Sequence, residues 1–339
     1  MLLLYKRICH RRSAGVTPAG HDPQLYLHLP ENLPGNQELK TDSPGGREVR
    51  ATLLSQSVVW LRPKAAMCLS AIALLAAAPP AIEFVDRAPA AKLNVITYNG
   101  GPEKNHILES TGTGLLLLDY DGDFDQDIYF VNAFTFPKRG ETKPHSNVLY
   151  RNDGNGTFTD VTAASGTGAA VYGQGGCVGD IDNDGFPDMY ITNFGPNILY
   201  RNNGNGTFSD ISAQAKIGDP RWSIGCTFFD ADKDGDHDLY VANYIEATWQ
   251  EVHAARRTRL WRGKVEVLDG PKGLPGSPDS FYLNNGNGTF TEATERAGLK
   301  PGTEHYSMGV ISFDYDNDGD IDLYVANDST PNCLYRNRG

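Results

Sequence analysis

The stretch Asp314-Tyr-Asp-Asn-Asp-Gly-Asp-Ile-Asp322-Leu-Tyr-Val-Ala-Asn327 decides how this chain folds. Its carboxylates at positions 1, 3, 5 and 9 repel one another unless a cation sits among them. The same run occurs three times earlier, as Asp119-Tyr-Asp-Gly-Asp-Phe-Asp-Gln-Asp127, Asp180-Ile-Asp-Asn-Asp-Gly-Phe-Pro-Asp188 and Asp230-Ala-Asp-Lys-Asp-Gly-Asp-His-Asp238. The candidate metal ligands are therefore Asp119, Asp121, Asp123 and Asp127; Asp180, Asp182, Asp184 and Asp188; Asp230, Asp232, Asp234 and Asp238; and Asp314, Asp316, Asp318 and Asp322. Hard oxygens at this spacing suit Ca²⁺, which takes six to eight of them in flexible geometry. Up to four Ca²⁺ sites are expected, each completed by the carbonyl of the seventh residue. In the first run Phe124 stands where the others have Gly185, Gly235 and Gly319. Glycine there supplies a positive φ that Phe adopts only at a cost, so the first site is expected to be the weakest. Gly122 is expected to let that loop bend two residues earlier.

An EF-hand would need a bidentate Glu at position 12 and helices on both sides. Position 12 is instead Phe130, Ile191, Val241 or Val325. The β-branched and aromatic residues around it favour strands. Upstream of each run lies a glycine, Gly114, Gly175, Gly225 or Gly309, opening another strand-like segment. Downstream come Asn147-Val-Leu-Tyr-Arg-Asn-Asp-Gly-Asn-Gly-Thr-Phe-Thr-Asp160 and its copies at 197–210 and 279–292. Asn-Gly and Asp-Gly between such runs mark hairpin turns. One repeat thus reads strand, acidic loop, strand, connection, strand, turn, strand. Four antiparallel strands in roughly 50 residues make one β-propeller blade. The fold class is all-β. First aspartates of successive loops lie 61, 50 and 84 residues apart, which places an insertion at about 245–280.

The acidic run followed by Asp-Leu-Tyr resembles the FG-GAP or VCBS repeat of integrin α-subunit propellers and many bacterial secreted proteins. The fuller run with Leu-Tyr-Arg-Asn-x-Gly-x-Gly-Thr-Phe, and the stretch Tyr324-Val-Ala-Asn-Asp-Ser-Thr-Pro-Asn-Cys-Leu-Tyr-Arg-Asn337, resemble the ASPIC/UnbV family, relatives of cartilage acidic protein. The resemblance spans about 82 to 339 and implies a calcium-binding propeller followed by a small C-terminal domain. A propeller of this type needs about seven blades, roughly 400 residues. Three repeats and most of a fourth are present, so the sequence reads as truncated, with further blades expected to pack on its C-terminal edge. Phe84-Val-Asp86 is similar to the outermost strand Phe158-Thr-Asp160, but no final blade awaits it here.

Residues 1–61 show no repeat, and 11–50 are rich in Pro, Gly, Arg and Asp, as in disordered segments. Residues 62–81 read as a secretory signal peptide, with a basic start and a short apolar stretch over 65–78. Its internal position points to a start assigned too early or to an uncleaved signal anchor, the one case that would bring a membrane into play. The expected location is secreted, extracellular or periplasmic. Of 42 acidic residues, 19 lie in the four loops, so the net charge of −12 reflects ion binding and speaks against nucleic acid. Cys177 and Cys226 are read as buried free thiols.

No catalytic triad, metal-binding His or Cys motif or phosphate loop is apparent. His106, His145, His253 and His305 are scattered, and Glu109 and Glu304 precede inner strands where they would face a channel. The insertion interleaves Arg256, Arg257, Arg259, Arg262, Lys264 and Lys272 with Trp249 and Trp261, a composition found at binding hot spots, but the preferred reading is a structural excursion whose arginines neutralise nearby aspartate clusters. The expected function is a secreted, calcium-stabilised module binding a protein or glycan. The alternative is a propeller-fold lyase or hydrolase acting on polysaccharide.

Overall fold

The computed structural model describes residues 82–339 apart from 103, 138–140, 255–257, 269, 272 and 300–304. The expected disordered and signal segments, 1–61 and 62–81, lie outside the described residues, as do Arg256, Arg257, Lys272 and Glu304 and the side chains of His253, Arg259 and Trp261.

Each repeat forms one antiparallel sheet. Blade 1 comprises Leu115–Leu118, Asp127–Phe130, Val148–Asn152 and Phe158–Asp160, paired in that order. Blade 2 comprises Gly173–Gly179, Asp188–Asn193, Ile198–Asn202 and Phe208–Asp210. Blade 3 comprises Ser223–Phe229, Asp238–Asn243, Ser280–Asn284 and Phe290–Glu292. Blade 4 has three strands, Ser307–Phe313, Asp322–Asn327 and Cys333–Tyr335. The inner strands of successive blades lie side by side, so the sheets form an incomplete β-propeller.

Small residues at the centre and large ones further out make this radial arrangement possible. A Cβ on Gly114 would stand 2.8 Å from Gly175 Cα, and one on Gly175 would stand 2.9 Å from the Ile224 carbonyl oxygen. Each blade presents one face downstream in the chain and one upstream. Tyr129 and Leu149 of blade 1 are buried with Met189 and Ile191 of blade 2; Tyr190 and Leu199 are buried with Leu239 and Val241 of blade 3. Phe229, Tyr240 and Phe281 are buried in turn with Leu323 and Val325 of blade 4.

One expectation is corrected. Cys177 and Cys226 are not free thiols but form a disulfide, because the adjoining inner strands of blades 2 and 3 bring their Cα atoms to 5.7 Å. The insertion is a structured excursion, with a helix at Trp249–Ala254 and a hairpin of Thr258–Trp261 with Val265–Leu268. Its Trp249 is half-buried, with ring centroids of Phe134, Phe136, Tyr172 and Phe194 at 5.7–6.3 Å. That tryptophan serves an aromatic cluster.

A Cβ on Gly309 would meet nothing within 4 Å. Gly175→Ala should therefore cost about 1–3 kcal/mol through overpacking and lower the Tm, whereas Gly309→Ala should leave the folded chain nearly unchanged. Thermal melts of the two variants check the contrast.

Candidate metal centres

The four acidic loops connect the first and second strands of their blades, and all take one shape. Residues at positions 4 and 6 both have left-handed backbones: Gly122 and Phe124 (φ 77° and 70°), Asn183 and Gly185 (56° and 89°), Lys233 and Gly235 (63° and 92°), Asn317 and Gly319 (60° and 87°). The first loop therefore does not bend earlier than the others. Every copy bends twice, and Phe124 adopts the glycine conformation with its ring 93% exposed.

Three backbone-binding roles fix the carboxylates. The first aspartate accepts N–H groups across its own loop: Asp119 from Gly122, Asp123 and Phe124 at 2.9–3.1 Å, and Asp180 from Asp184 and Gly185 at 3.1 and 2.9 Å. Asp230 accepts from Gly235, and Asp314 from Asp318 and Gly319. The fifth-position carboxylate accepts the N–H two residues on, as Asp184 does from Phe186 at 2.9 Å. The ninth is buried and bridges two segments. Asp127 accepts from Tyr120 and Asn152, Asp188 from Ile181 and Asn202, Asp238 from Ala231 and Asn284, and Asp322 from Tyr315 and Asn337, all at 2.7–3.0 Å.

The asparagine that binds the ninth aspartate was not singled out from the sequence, although it recurs in every Arg-Asn-x-Gly or Leu-Asn-x-Gly turn. Its amide also reaches the loop of the preceding blade: Asn202 donates to the Tyr120 carbonyl at 2.8 Å, Asn284 to Ile181 at 2.8 Å and Asn337 to Ala231 at 2.7 Å. Further links join the loops themselves. Asn183 donates to Asp236 at 2.8 Å, and Lys233 pairs with Asp320 at 2.5 Å.

Carboxylate oxygens of Asp119, Asp121 and Asp127 converge within 4.8 Å of one another, as do those of Asp180, Asp182 and Asp188, of Asp230, Asp232 and Asp234, and of Asp314, Asp316 and Asp322. Asp123, Asp184, Asp318 and Asp238 are not members of these groups. One oxygen each of Asp121, Asp230 and Asp316 is buried with no hydrogen-bond partner among the described residues. Such uncompensated oxygens, in an all-carboxylate donor set, fit a hard divalent cation. In loop four Arg336 approaches as well, contacting Asp316 at 2.8 Å and Asp318 at 2.9 Å.

Burial pushes the carboxyls of Asp127 and Asp238 up to about 6 and that of Asp188 up to about 7, with neighbouring carboxylates adding to the effect. Asp121 and Asp182 are raised by burial and then by the aspartates beside them. Asp318 is lowered, first by the Asp320 N–H and then by Arg336.

The other candidates have local roles. Glu109 does not face a channel as a free acid. It is buried, accepting the Gly101 N–H at 2.6 Å and the His106 N–H at 2.8 Å, and so caps a 3-10 turn at Ile107–Ser110. His145 stacks on Tyr98 at 3.7 Å, and His305 lies 3.5 Å from the Asn327 amide. Among the described residues, no group of three potential metal ligands includes a histidine.

The class is thus a propeller-type repeat protein with an acidic loop in each blade. Residues 119–191, 180–241 and 263–325 match the FG-GAP-like repeat, together more than half of the chain, and the chain belongs to that family. No curated protein matches it. Among solved structures it is similar to an Agrocybe aegerita lectin described for specific recognition of non-reducing terminal N-acetylglucosamine, with 18% identity and a TM-score of 0.34 over 65% of this chain and 51% of that one. It is also similar to the V. cholerae biofilm matrix protein Bap1, with 14% identity and a TM-score of 0.28 over 63% of this chain and 34% of that one. The chain thus spans about half the length of the first and a third of the second.

Two predictions follow from the loops. In chelator, raised carboxyl pKa values mean that the folded chain binds protons more tightly than the unfolded one. Its Tm should therefore rise as pH falls from about 7 towards 4, and saturating Ca²⁺ should reverse that slope; melts across pH with and without chelator read both. Strain at Phe124 of about 1–3 kcal/mol is subtracted from the first site. Phe124→Gly should tighten that loop's ion binding, and Asp184→Ala or Asp318→Ala should lower the calcium-loaded Tm more than Asp123→Ala.

Proposed function

We propose that this chain is an exported, calcium-stabilised propeller module whose role is to bind a protein or a glycan. The observation that carries the calcium reading is the set of buried, unpartnered oxygens on Asp121, Asp230 and Asp316, within acidic clusters repeated blade after blade. Each ion would be held by the first, third, fifth and ninth aspartates and the seventh carbonyl, with the ninth also anchoring loop to hairpin. Bound calcium supplies the positive charge that lets these carboxylates stay ionised in close company. The chain's own residues do the rest: left-handed positions 4 and 6 curl the loop, and the turn asparagine fastens it to the neighbouring blade.

The Cys177–Cys226 disulfide supports an oxidising compartment, and millimolar extracellular calcium suits sites of this kind. None of the described helices is long and apolar enough to cross a membrane. The Leu-Tyr-Arg-Asn-x-Gly-x-Gly-Thr-Phe runs support our reading of the chain as a member of the ASPIC/UnbV branch of the repeat family.

Calcium should stabilise the full chain by mass action, by about 2.7 kcal/mol for each site at a hundredfold excess over Kd, and so raise its Tm. Calorimetric titration should give up to four ions per chain, with the first loop filling last. An identical melting curve in calcium and in chelator would overturn the assignment.

A further inference from the structure

The fourth and eighth positions of the acidic loops differ from blade to blade, and they decide how firmly neighbouring loops hold one another. Position 4 of one loop faces position 7 of the next. At the first junction these are Gly122 and Phe186, where a Cβ on the glycine would lie 3.5 Å from the phenylalanine ring. Position 8 of the second loop is Pro187, which has no N–H and no polar side chain. Neither position can supply a side-chain hydrogen bond between loops one and two.

At the second junction both positions are polar. Asn183 donates from its amide to the Asp236 carboxylate at 2.8 Å and to the Gly235 carbonyl at 3.3 Å. In the opposite direction His237 Nδ1 donates to the Asp180 carbonyl at 2.9 Å, since that oxygen can only accept. The Asn284 amide lies between the two loops, donating to Ile181 at 2.8 Å and to His237 at 3.2 Å. Loops two and three thus exchange bonds in both directions. At the third junction Lys233 pairs with Asp320, but the lysine side chain is 55% exposed, and surface ion pairs are worth little. Position 8 there is the apolar Ile321.

The bonded groups of the second junction sit on segments that would touch an ion. Asp180 is the first carboxylate of loop two. His237 stands between Asp236, whose carbonyl is the expected seventh-position ligand, and Asp238, the ninth. Loop three also arranges its oxygens differently from the other loops. Its converging group is Asp230, Asp232 and Asp234, with Asp238 outside, whereas in the other three loops the ninth aspartate is inside and the fifth outside. Completing the third site therefore has to draw Asp238 inward. Asp238 follows His237 in the chain, and His237 is tied to Asp180. Closure of loop three and placement of Asp180 are mechanically linked.

Given the calcium sites proposed above, we propose that Asn183 and His237 are positioning residues that join loops two and three into one cooperative unit: an ion in either loop raises the affinity of the other, and loop one fills independently of loop two. An ion in loop two fixes Asp180 and Asn183. It thereby fixes the acceptor of His237 and the donor to Asp236 before loop three binds. Loop three then has less conformational freedom left to lose, which makes the cooperativity positive. The converse holds by reciprocity. Salt weakens the repulsion between ions in separate loops but leaves these bonded contacts in place.

Three glycines report the sites separately. Gly122, Gly185 and Gly235 each donate the N–H to the first aspartate of their own loop. All three follow an aspartate, so paired aspartate and glycine isotope labelling of the full chain isolates their amide signals by NMR. In a calcium titration the Gly185 and Gly235 signals should change together, along a curve steeper than a single-site isotherm, while Gly122 follows its own. Asp182→Ala, which disables the second site, should weaken binding read at Gly235 about fivefold or more and leave Gly122 within about twofold.

Asn183→Gly combined with His237→Ile puts at each position a residue that another loop already carries there, Gly122 and Ile321. This double variant should still bind at both loops, with separate single-site curves, and adding Asp182→Ala should no longer move the Gly235 curve. Circular dichroism checks that each variant folds, and the curves of the unmodified chain test the coupling with no substitution at all. Single-site curves at Gly185 and Gly235 in the unmodified chain, or a Gly235 curve indifferent to Asp182→Ala, would overturn the coupling while leaving the calcium assignment standing. Equal weakening at Gly235 with and without Asn183 and His237 would overturn the role given to these two residues. Signals that calcium does not move would overturn the coupling and the calcium assignment together.

Discussion

Everything at the acidic end of the blades depends on one buried carboxylate used twice. The ninth aspartate of each loop accepts an N–H from the start of its loop and another from the turn asparagine after the third strand. It thereby fixes the distance between a loop that would otherwise be repelled open and a hairpin that would otherwise end freely. Burial makes the charge expensive, as the raised values at Asp127, Asp188 and Asp238 show. Protonation relieves that cost by removing charge, and a cation relieves it by balancing charge. Structural integrity and ion binding are therefore one constraint at this end of the molecule.

At the centre the constraint is spatial. Inner strands can crowd together only where side chains are absent, and Gly114, Gly175 and Gly225 supply that absence at equivalent positions. Away from the centre, Tyr129, Tyr190 and Tyr240 fill the widening wedge between sheets. Each tyrosine hydroxyl then finds an acceptor: the Thr167 carbonyl, the Ile217 carbonyl and the Asp279 carboxylate. In this way large side chains are buried without orphaned polar atoms.

What the sequence disclosed was what is local. The four loops, the strands beside them and the Asn-Gly turns each depend on a few consecutive residues, and even the strained backbone at Phe124 followed from aligning the loops. Lateral relations were not legible in the same way. The Cys177–Cys226 bridge joins residues 49 positions apart on neighbouring blades, and nothing in either flank announces the partner. Glu109 looked like a free acid because its companions, the Gly101 and His106 N–H groups, are backbone atoms without a sequence signature. The structural part played by Trp249 could not be told from a recognition role, because its aromatic neighbours come from segments far away in the chain.

The amides of Asn202, Asn284 and Asn337 give the array a direction. Each belongs to one blade and holds the carbonyl of the second residue in the acidic loop before it. Removing a blade thus loosens the loop of its predecessor, while the loop of its successor stays held by the asparagine of the blade that follows it. Damage to the repeat spreads towards the N-terminal blades more readily than the reverse. The structure behaves like overlapping roof tiles, in which each course is secured by the one laid after it.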